Sequence, residues 1–509
     1  MIYFLLVDRF YNGDPTNDGA INLSDPQAFH GGDLRGVSEK LEYLDELGVE
    51  TLWLGPITQM RTEKFYEWGA YHGYWLENPF EVEPRFGTWS DMDGLQRGLH
   101  SRNIGLALDI VYNHVAPEST RVKTHPGWFH HAGPIVDGHN SAEVMDHDVH
   151  GLPDLDQSNP KVYAWLRDAS IYWLERLRPA AFRLDAVRHM PPEFVAQIGD
   201  DIRGKAGRGF QLWGEVFDGN VAQVQATQAA AKLDVVFDYP LHYALIDVVC
   251  KGQPAASIAA ALDRTRGSDP ESWITFADNH DTPRVTGQCG GNSRRVDLIL
   301  ELLFTLRGRP MITWGTEWGF DGLKEPENRA DMRWDDARPM DRMAGLRSWN
   351  TRRQEDEVLR RGNWRTVGLG ADWFVIERSL GKQRRWVVYN GGQQREIAGI
   401  TFDEASVSVL TPPREAVSSL RVKSGSVVVD ADTGNLKPGE QLLMVGDAPE
   451  FGQWNAEHAI VLPAAITLAD AAYVYKLVIR HIDGTITWEA GENRWLLGAQ
   501  QRLRVAWRN

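Results

Sequence analysis

The chain has 509 residues, 42% hydrophobic and 24% charged, a globular composition that excludes collagen-like and disordered classes. Its length suits about two to four domains. Lys and Arg number 54 against 70 Asp and Glu, and the resulting charge of −16 argues against nucleic acid and membrane surfaces as partners.

The opening Ile2–Val7 is apolar but meets Asp8-Arg9 at once, so it reads as a buried strand rather than an export signal. Further short apolar runs follow at Thr51–Leu54, Leu106–Val111, Ala181–Leu184, Gln211–Trp213, Val235–Phe237, Trp273–Phe276 and Met311–Trp314. Buried parallel strands look like this. Helical patterns lie between them. Val37, Leu41, Leu44 and Leu47 recur at helical spacing and Gly48 ends the run. Asn159-Pro160 starts another helix as N-cap and first-turn proline, with Val162, Leu166, Ala169 and Trp173 on one face.

Eight strands each followed by a helix predict a (β/α)8 TIM barrel over 1–345, with a doubly wound sheet as the alternative. The stretch at 115–153, rich in His, Gly and Pro, is too long for a plain loop and is expected to be an inserted subdomain. Beyond about 350 the texture turns to alternating strands, such as Trp373–Ile376, Trp386–Tyr389 and Val427–Val429. This predicts an all-β domain over 346–423, a linker near 423–426, and a second β-module over 424–509. Two cysteines, Cys250 and Cys289, are too few for a disulfide framework; two buried thiols are expected, with a single bridge as the alternative.

Barrel chemistry sits at the C-terminal ends of the strands. Those ends carry Asp109-Ile-Val-Tyr-Asn113-His114, Phe182-Arg183-Leu184-Asp185, Gly214-Glu215 and Asn279-His280-Asp281. A lone strand-end acid would be an ordinary helix cap. Acids converging from several strands, with His and Arg beside them, fit glycoside cleavage, which needs a proton donor and a base or nucleophile.

In order and spacing these segments resemble the conserved regions of the α-amylase superfamily, glycoside hydrolase family 13. Leu152-Pro153-Asp154-Leu155-Asp156, Tyr71-His72-Gly73-Tyr74-Trp75 and Gly315-Thr316-Glu317 add to the resemblance. It implies an inserted domain B, an all-β domain C, Asp185 as nucleophile, Glu215 as general acid/base and Asp281 as the third carboxylate. Arg183 would keep Asp185 ionised by charge pairing. His114 and His280 would bond the sugar, and Tyr74 would stack on it with Trp75 alongside. Arg188, His189 and Phe217 fall on the acceptor side, and Glu325 and Arg329 on a farther sugar contact. A retaining pair should stand about 5–5.5 Å apart.

The same resemblance implies calcium. Asn113, Asp154 and the His189 carbonyl would form one site, and Asn12, Asp14, Asn17, Asp18, Gly31 and Asp33 a possible second, though turn loops use the same residue types. Seven of the 15 histidines lie between His114 and His150, but without zinc-ligand spacing. The final segment, with Trp454, Lys476, Trp488 and Asn493, is similar to the family-20 starch-binding module, a β-sandwich. There the two tryptophans would stack on sugar, and Lys476 and Asn493 would bond hydroxyls.

The first expectation is endo-hydrolysis of α-1,4-glucosidic bonds in starch, amylose and malto-oligosaccharides by a monomer working outside the cell. A glucan transferase, cyclodextrin-forming or maltogenic, is the alternative. The Asn12–Asp18 loop and Phe217 favour it; His150, standing where cyclising enzymes carry an aromatic, and the lack of room for their extra immunoglobulin-like domain oppose it. A non-catalytic glucan-binding protein is a third possibility, opposed by the presence of all three carboxylates.

Overall fold

Eight parallel strands close into a barrel in the computed structural model, which describes residues 1–138, 141–207, 209–413, 420, 425–433, 436–498 and 502–508. They are β1 (Ile2–Leu5), β2 (Thr51–Leu54), β3 (Gly105–Ile110), β4 (Ala181–Leu184), β5 (Gln211–Gly214), β6 (Val235–Phe237), β7 (Trp273–Phe276) and β8 (Arg309–Thr313). Spatial order follows sequence order, and β1 meets β8 with Ile2 opposite Met311. This closure excludes the doubly wound alternative. Every residue of β1, β4, β6 and β7 is buried, as a strand covered on both faces requires. Trp53, Trp173, Trp213, Trp273, Trp314 and Trp386 are fully buried, so much of the tryptophan content serves packing.

The helix expected from Val37 to Leu47 is two short ones, α1 (Leu34–Glu39) and α2 (Leu41–Leu47), broken at Lys40. Gly48 ends α2 at φ 83°, a left-handed cap that glycine adopts without a Cβ penalty. α3 (Pro160–Leu177) starts as predicted, the Asn159 side chain accepting from the Lys161 N–H.

Residues 115–153 leave the barrel between β3 and α3 with two short helices, Thr120–Thr124 and Ser141–Asp146. Bridges His114–Asp154 and Phe129–Leu155 pin the returning chain to its start. After β6 come α4 (Tyr239–Leu245) and α5 (Ala256–Arg264). The disulfide Cys250–Cys289 links the segment after α4 to the helical turn after β7, correcting the expectation of two free thiols. Chain closure here depends on barrel geometry that brings residues 39 apart in sequence to a Cα separation of 4.3 Å.

The predicted boundary at 345 falls inside α6 (Met340–Glu355), so the β-structure starts later. Its sheet runs β9 (Asn363–Leu369), β10 (Trp373–Leu380), β11 (Gln383–Asn390) and β12 (Ser406–Leu410), in that order. Of the predicted linker, Lys423 and Ser424 lie outside the described residues, while Gly425 and Ser426 open a strand. The last module has β13 (Gly425–Asp432), β14 (Gln441–Gly446), β15 (Ala464–Leu468), β16 (Ala472–Arg480), β17 (Ile486–Trp488), β18 (Arg494–Leu497) and β19 (Arg502–Ala506). Val427, Val429, Met444, Phe451, Tyr475, Leu477 and Leu496 make its own core.

This module packs on the barrel through α5. Ala256, Ala259 and Ala260 meet Ala472, with Val474, Trp495 and Leu497 around them. Arg264 pairs with Asp447 at 3.2 Å and with Asp470, and donates to the Ala472 carbonyl at 3.0 Å.

Candidate active site

The barrel rim gathers its acids around one cation. Arg183 lies on β4 opposite Asp109 of β3, both pointing into the barrel. Its Nη1 reaches Asp185 at 2.7 Å and Asp109 at 2.9 Å, and its Nη2 reaches Glu215 at 2.9 Å. One guanidinium therefore ties together carboxylates from the ends of three strands, a fork geometry that lysine could not supply. Burial, with Glu215 and Asp109 as like-charged neighbours, pushes the Asp185 carboxyl up, and Arg183 pulls against it.

The turn after β4 aims the backbone at Glu215. Ala186 is left-handed at φ 50°, a strained conformation for alanine, and its N–H donates to Glu215 Oε2 at 3.0 Å. Tyr239, from the end of β6, donates to Glu215 Oε1 at 3.2 Å and accepts from Asn279 at 3.1 Å. Gly214 precedes Glu215 because an added Cβ would lie 2.3 Å from the Leu233 side chain.

Asp281 stands at the mouth, 3.2 Å from both Arg329 and His280. Arg329 also holds Glu325 at 2.7 Å. The Tyr74 ring lies parallel to His280 with centroids 5.2 Å apart, and its hydroxyl donates to Asp109 at 2.9 Å. Burial pushes His114 down to about 4 and His280 well below the usual histidine range, so both are neutral imidazoles. Neutral rings can donate and accept toward sugar hydroxyls without a counter-ion.

The structure thus brings Asp185, Glu215, Asp281, Arg183, Tyr74, His114, His280, Glu325 and Arg329 to one rim. Phe217 stands exposed beside them, its ring 4.4 Å from Tyr239. Arg188 donates to the Gly138 carbonyl and lies 3.9 Å from Asp218, while the His189 ring contacts the Val144 carbonyl. Trp75, next to Tyr74, is buried in a seam with Ala70 and Ala116, where it packs edge-on to His72. Asp109, Tyr239 and Asn279 were not singled out from sequence. Tyr239 stands two residues past β6, and reading that strand end as the others were read would have found it.

In the C-terminal module, Trp454, Lys476, Trp488 and Asn493 line one cleft, and Trp488 is exposed.

The alpha amylase catalytic-domain profile matches residues 4–131 and 137–367, and the starch binding domain profile matches 425–505. The chain belongs to the alpha-amylase family. The beta/alpha-amylase of Paenibacillus polymyxa is 30% identical over 84% of this chain, which spans only 36% of that enzyme's length. The cyclomaltodextrin glucanotransferase of Klebsiella oxytoca is 26% identical over 97% of this chain and 91% of its own. Among solved structures, CldA, a cyclomaltodextrin glucanotransferase with a three-domain ABC distribution, superposes with a TM-score of 0.73 at 27% identity. The match covers 81% of this chain and 99% of CldA.

Family membership raises the question of calcium. No group of three or more His, Cys, Asp or Glu side chains forms a metal cage among the described residues. Oxygen donors from amides and carbonyls are another matter. Asn113 is fully buried, and both its side-chain polar atoms lack a hydrogen-bond partner among the described residues, as does Asp154 Oδ1. Orphaned buried oxygens of this kind fit a hard cation. At the second candidate, Asn12 Oδ1 and Asn17 Oδ1 are likewise orphaned, and Asn12 donates to both Asp18 oxygens. Gly31 abuts this pair, since a Cβ there would lie 2.6 Å from Asn12. Asp33 instead caps α1 and accepts from the Gly13 and Asp14 N–H groups, and Asp14 accepts from Thr16.

Proposed function

We propose that the chain cleaves α-1,4-glucosidic bonds in starch-type glucans with retention, and that a sugar acceptor competes with water for the intermediate. The observation carrying this reading is Arg183, which holds Asp185 and Glu215 on one guanidinium at the barrel rim. Glu215 gives its proton to the glycosidic oxygen while an Asp185 oxygen bonds to the anomeric carbon, and the leaving chain departs with its new hydroxyl. Glu215, now a carboxylate, takes the proton from the incoming hydroxyl as that oxygen displaces Asp185. Asp281, braced by Arg329 and His280, bonds sugar hydroxyls in the distorted ring, and Tyr74 supplies the stacking face.

Transfer is the alternative to the plain hydrolysis that the sequence put first, and the relatives lend it weight. The missing extra domain no longer opposes it, because CldA is such a transferase with three domains. Exposed Phe217 offers an acceptor sugar an apolar face two residues beyond Glu215. His150, also exposed, is the observation that still favours water.

Calcium held by Asn113, Asp154 and the His189 carbonyl would fix the inserted segment to the barrel, and a second ion at Asn12, Asn17 and Asp18 would brace the loop after β1. The disulfide supports an oxidising, extracellular setting.

Chromatography of the products from maltoheptaose tests the division between acceptors. Cyclic sugars, or linear sugars longer than the substrate, are expected beside shorter ones. Shorter linear sugars alone would leave an α-amylase.

A further inference from the structure

A cleft of about 560 Å³ lies where the starch-binding module meets the barrel. Its volume is within the usual range of small-ligand sites. One wall is the module's own, with Trp454, Lys476, Trp488 and Asn493. The other belongs to the barrel: the loop 218–221 that follows Glu215 and Phe217, and Tyr243 from α4. Asn220 fastens the loop to the module by donating to the Gln453 carbonyl at 3.0 Å, next to Trp454.

Tyr243 is the barrel's aromatic in this wall. It is 40% exposed, and its ring lies against Gly219, where an added Cβ would come within 3.4 Å of it. It is four residues after Tyr239, one turn along the same face of α4, with ring centroids 6.4 Å apart. Tyr239 touches Glu215 and Phe217. Aromatic rings thus link exposed Phe217, through buried Tyr239, to Tyr243, which lines the cleft together with Trp454 and Trp488. Asp218, which also lines the cleft, lies 3.9 Å from Arg188 on the acceptor side. Flat apolar rings flanked by hydrogen-bonding groups suit a neutral sugar chain.

We propose that barrel and module together form one glucan-binding cleft, with Tyr243 as the barrel's stacking platform, and that a chain bound there continues to the acceptor side of Asp185 and Glu215. The proposal rests on the α-glucan reading given above. Binding in the cleft places the acceptor end of a long chain at the reaction centre, so affinity should rise with chain length beyond what either surface gives alone.

The test is calorimetric titration of maltotetraose and of a long maltodextrin into the full chain carrying Glu215→Gln, which keeps the ligand intact. In that background Tyr243→Ala should weaken long-maltodextrin binding by about fivefold or more and shrink the gain with chain length. Tyr243→Phe, which keeps the ring, should bind like the parent. Equal affinity of parent and Tyr243→Ala, or equal weakening in both variants, would overturn the shared cleft. Failure of the parent to bind either sugar would overturn the α-glucan reading with it.

Discussion

Arg183 sets the electrostatics of the site because, among the described residues, it is the one cation touching Asp109, Asp185 and Glu215 together. Asp109 has the burden of burial as well, which pushes its carboxyl up to about 6 despite contacts from Arg183 and Tyr74. Replacing either reacting carboxylate should cost far more than a contact: Asp185→Asn or Glu215→Gln is expected to lower kcat on maltoheptaose by about 10³-fold or more. Turnover within tenfold of the parent would remove that residue from the chemistry. The carboxylates proposed as catalytic were legible in the sequence because they follow recognisable strands. Asp109 was legible only as part of a motif, since its value comes from a cross-strand partner 74 residues away. Tyr239 and Asn279 meet through space alone, and no spacing rule joins them.

Strands buried on both faces announce themselves as apolar runs, and β2, β4, β6 and β7 have the bounds expected of them. α6 escaped notice because its buried positions include Asn350 and Arg353, so its apolar stripe is thin. The Cys250–Cys289 bond stood in the sequence only as the alternative to two thiols, because it joins segments following different strands. Elements of the terminal module depend on a charge cluster at the end of β17. Glu489 is buried and accepts from Arg494 at 2.7 Å, Arg508 at 3.1 Å and the Leu477 N–H at 2.9 Å. Burial raises its carboxyl pKa, but the two arginines and the backbone donor outweigh burial and hold it below the usual glutamate value. A depressed folded-state pKa adds stability above the unfolded value, and that stability is lost as pH falls through the folded one. Glu489→Gln should therefore destabilise the module at pH 7 by about 1.5–3 kcal/mol, and the gap should close below about pH 4. Calorimetric melting of the full chain at neutral and acid pH would show it. A gap unchanged by pH would mean that Glu489 acts by shape rather than charge.

Across the whole molecule, a net charge of −16 surrounds the site proposed for an uncharged polymer, and such a charge repels phosphate and lipid without repelling starch. The barrel, its insertion and the later β-domains follow from local pattern, whereas the docking of the terminal module does not. That contact is made by alanines on α5 and by Arg264, residues that read as ordinary helix surface until Ala472 and Asp470 arrive from 200 residues farther on. In the proposed reaction Asp185 carries the sugar covalently between the two steps. A maltosyl fluoride needs no proton to leave, so in the Glu215→Gln chain the first step should run while the second stalls. Mass spectrometry of that chain after incubation should show a maltosyl unit on the peptide containing Asp185, absent when Asp185→Asn is added. An unmodified chain that still releases fluoride, or an adduct on any other residue, would contradict it.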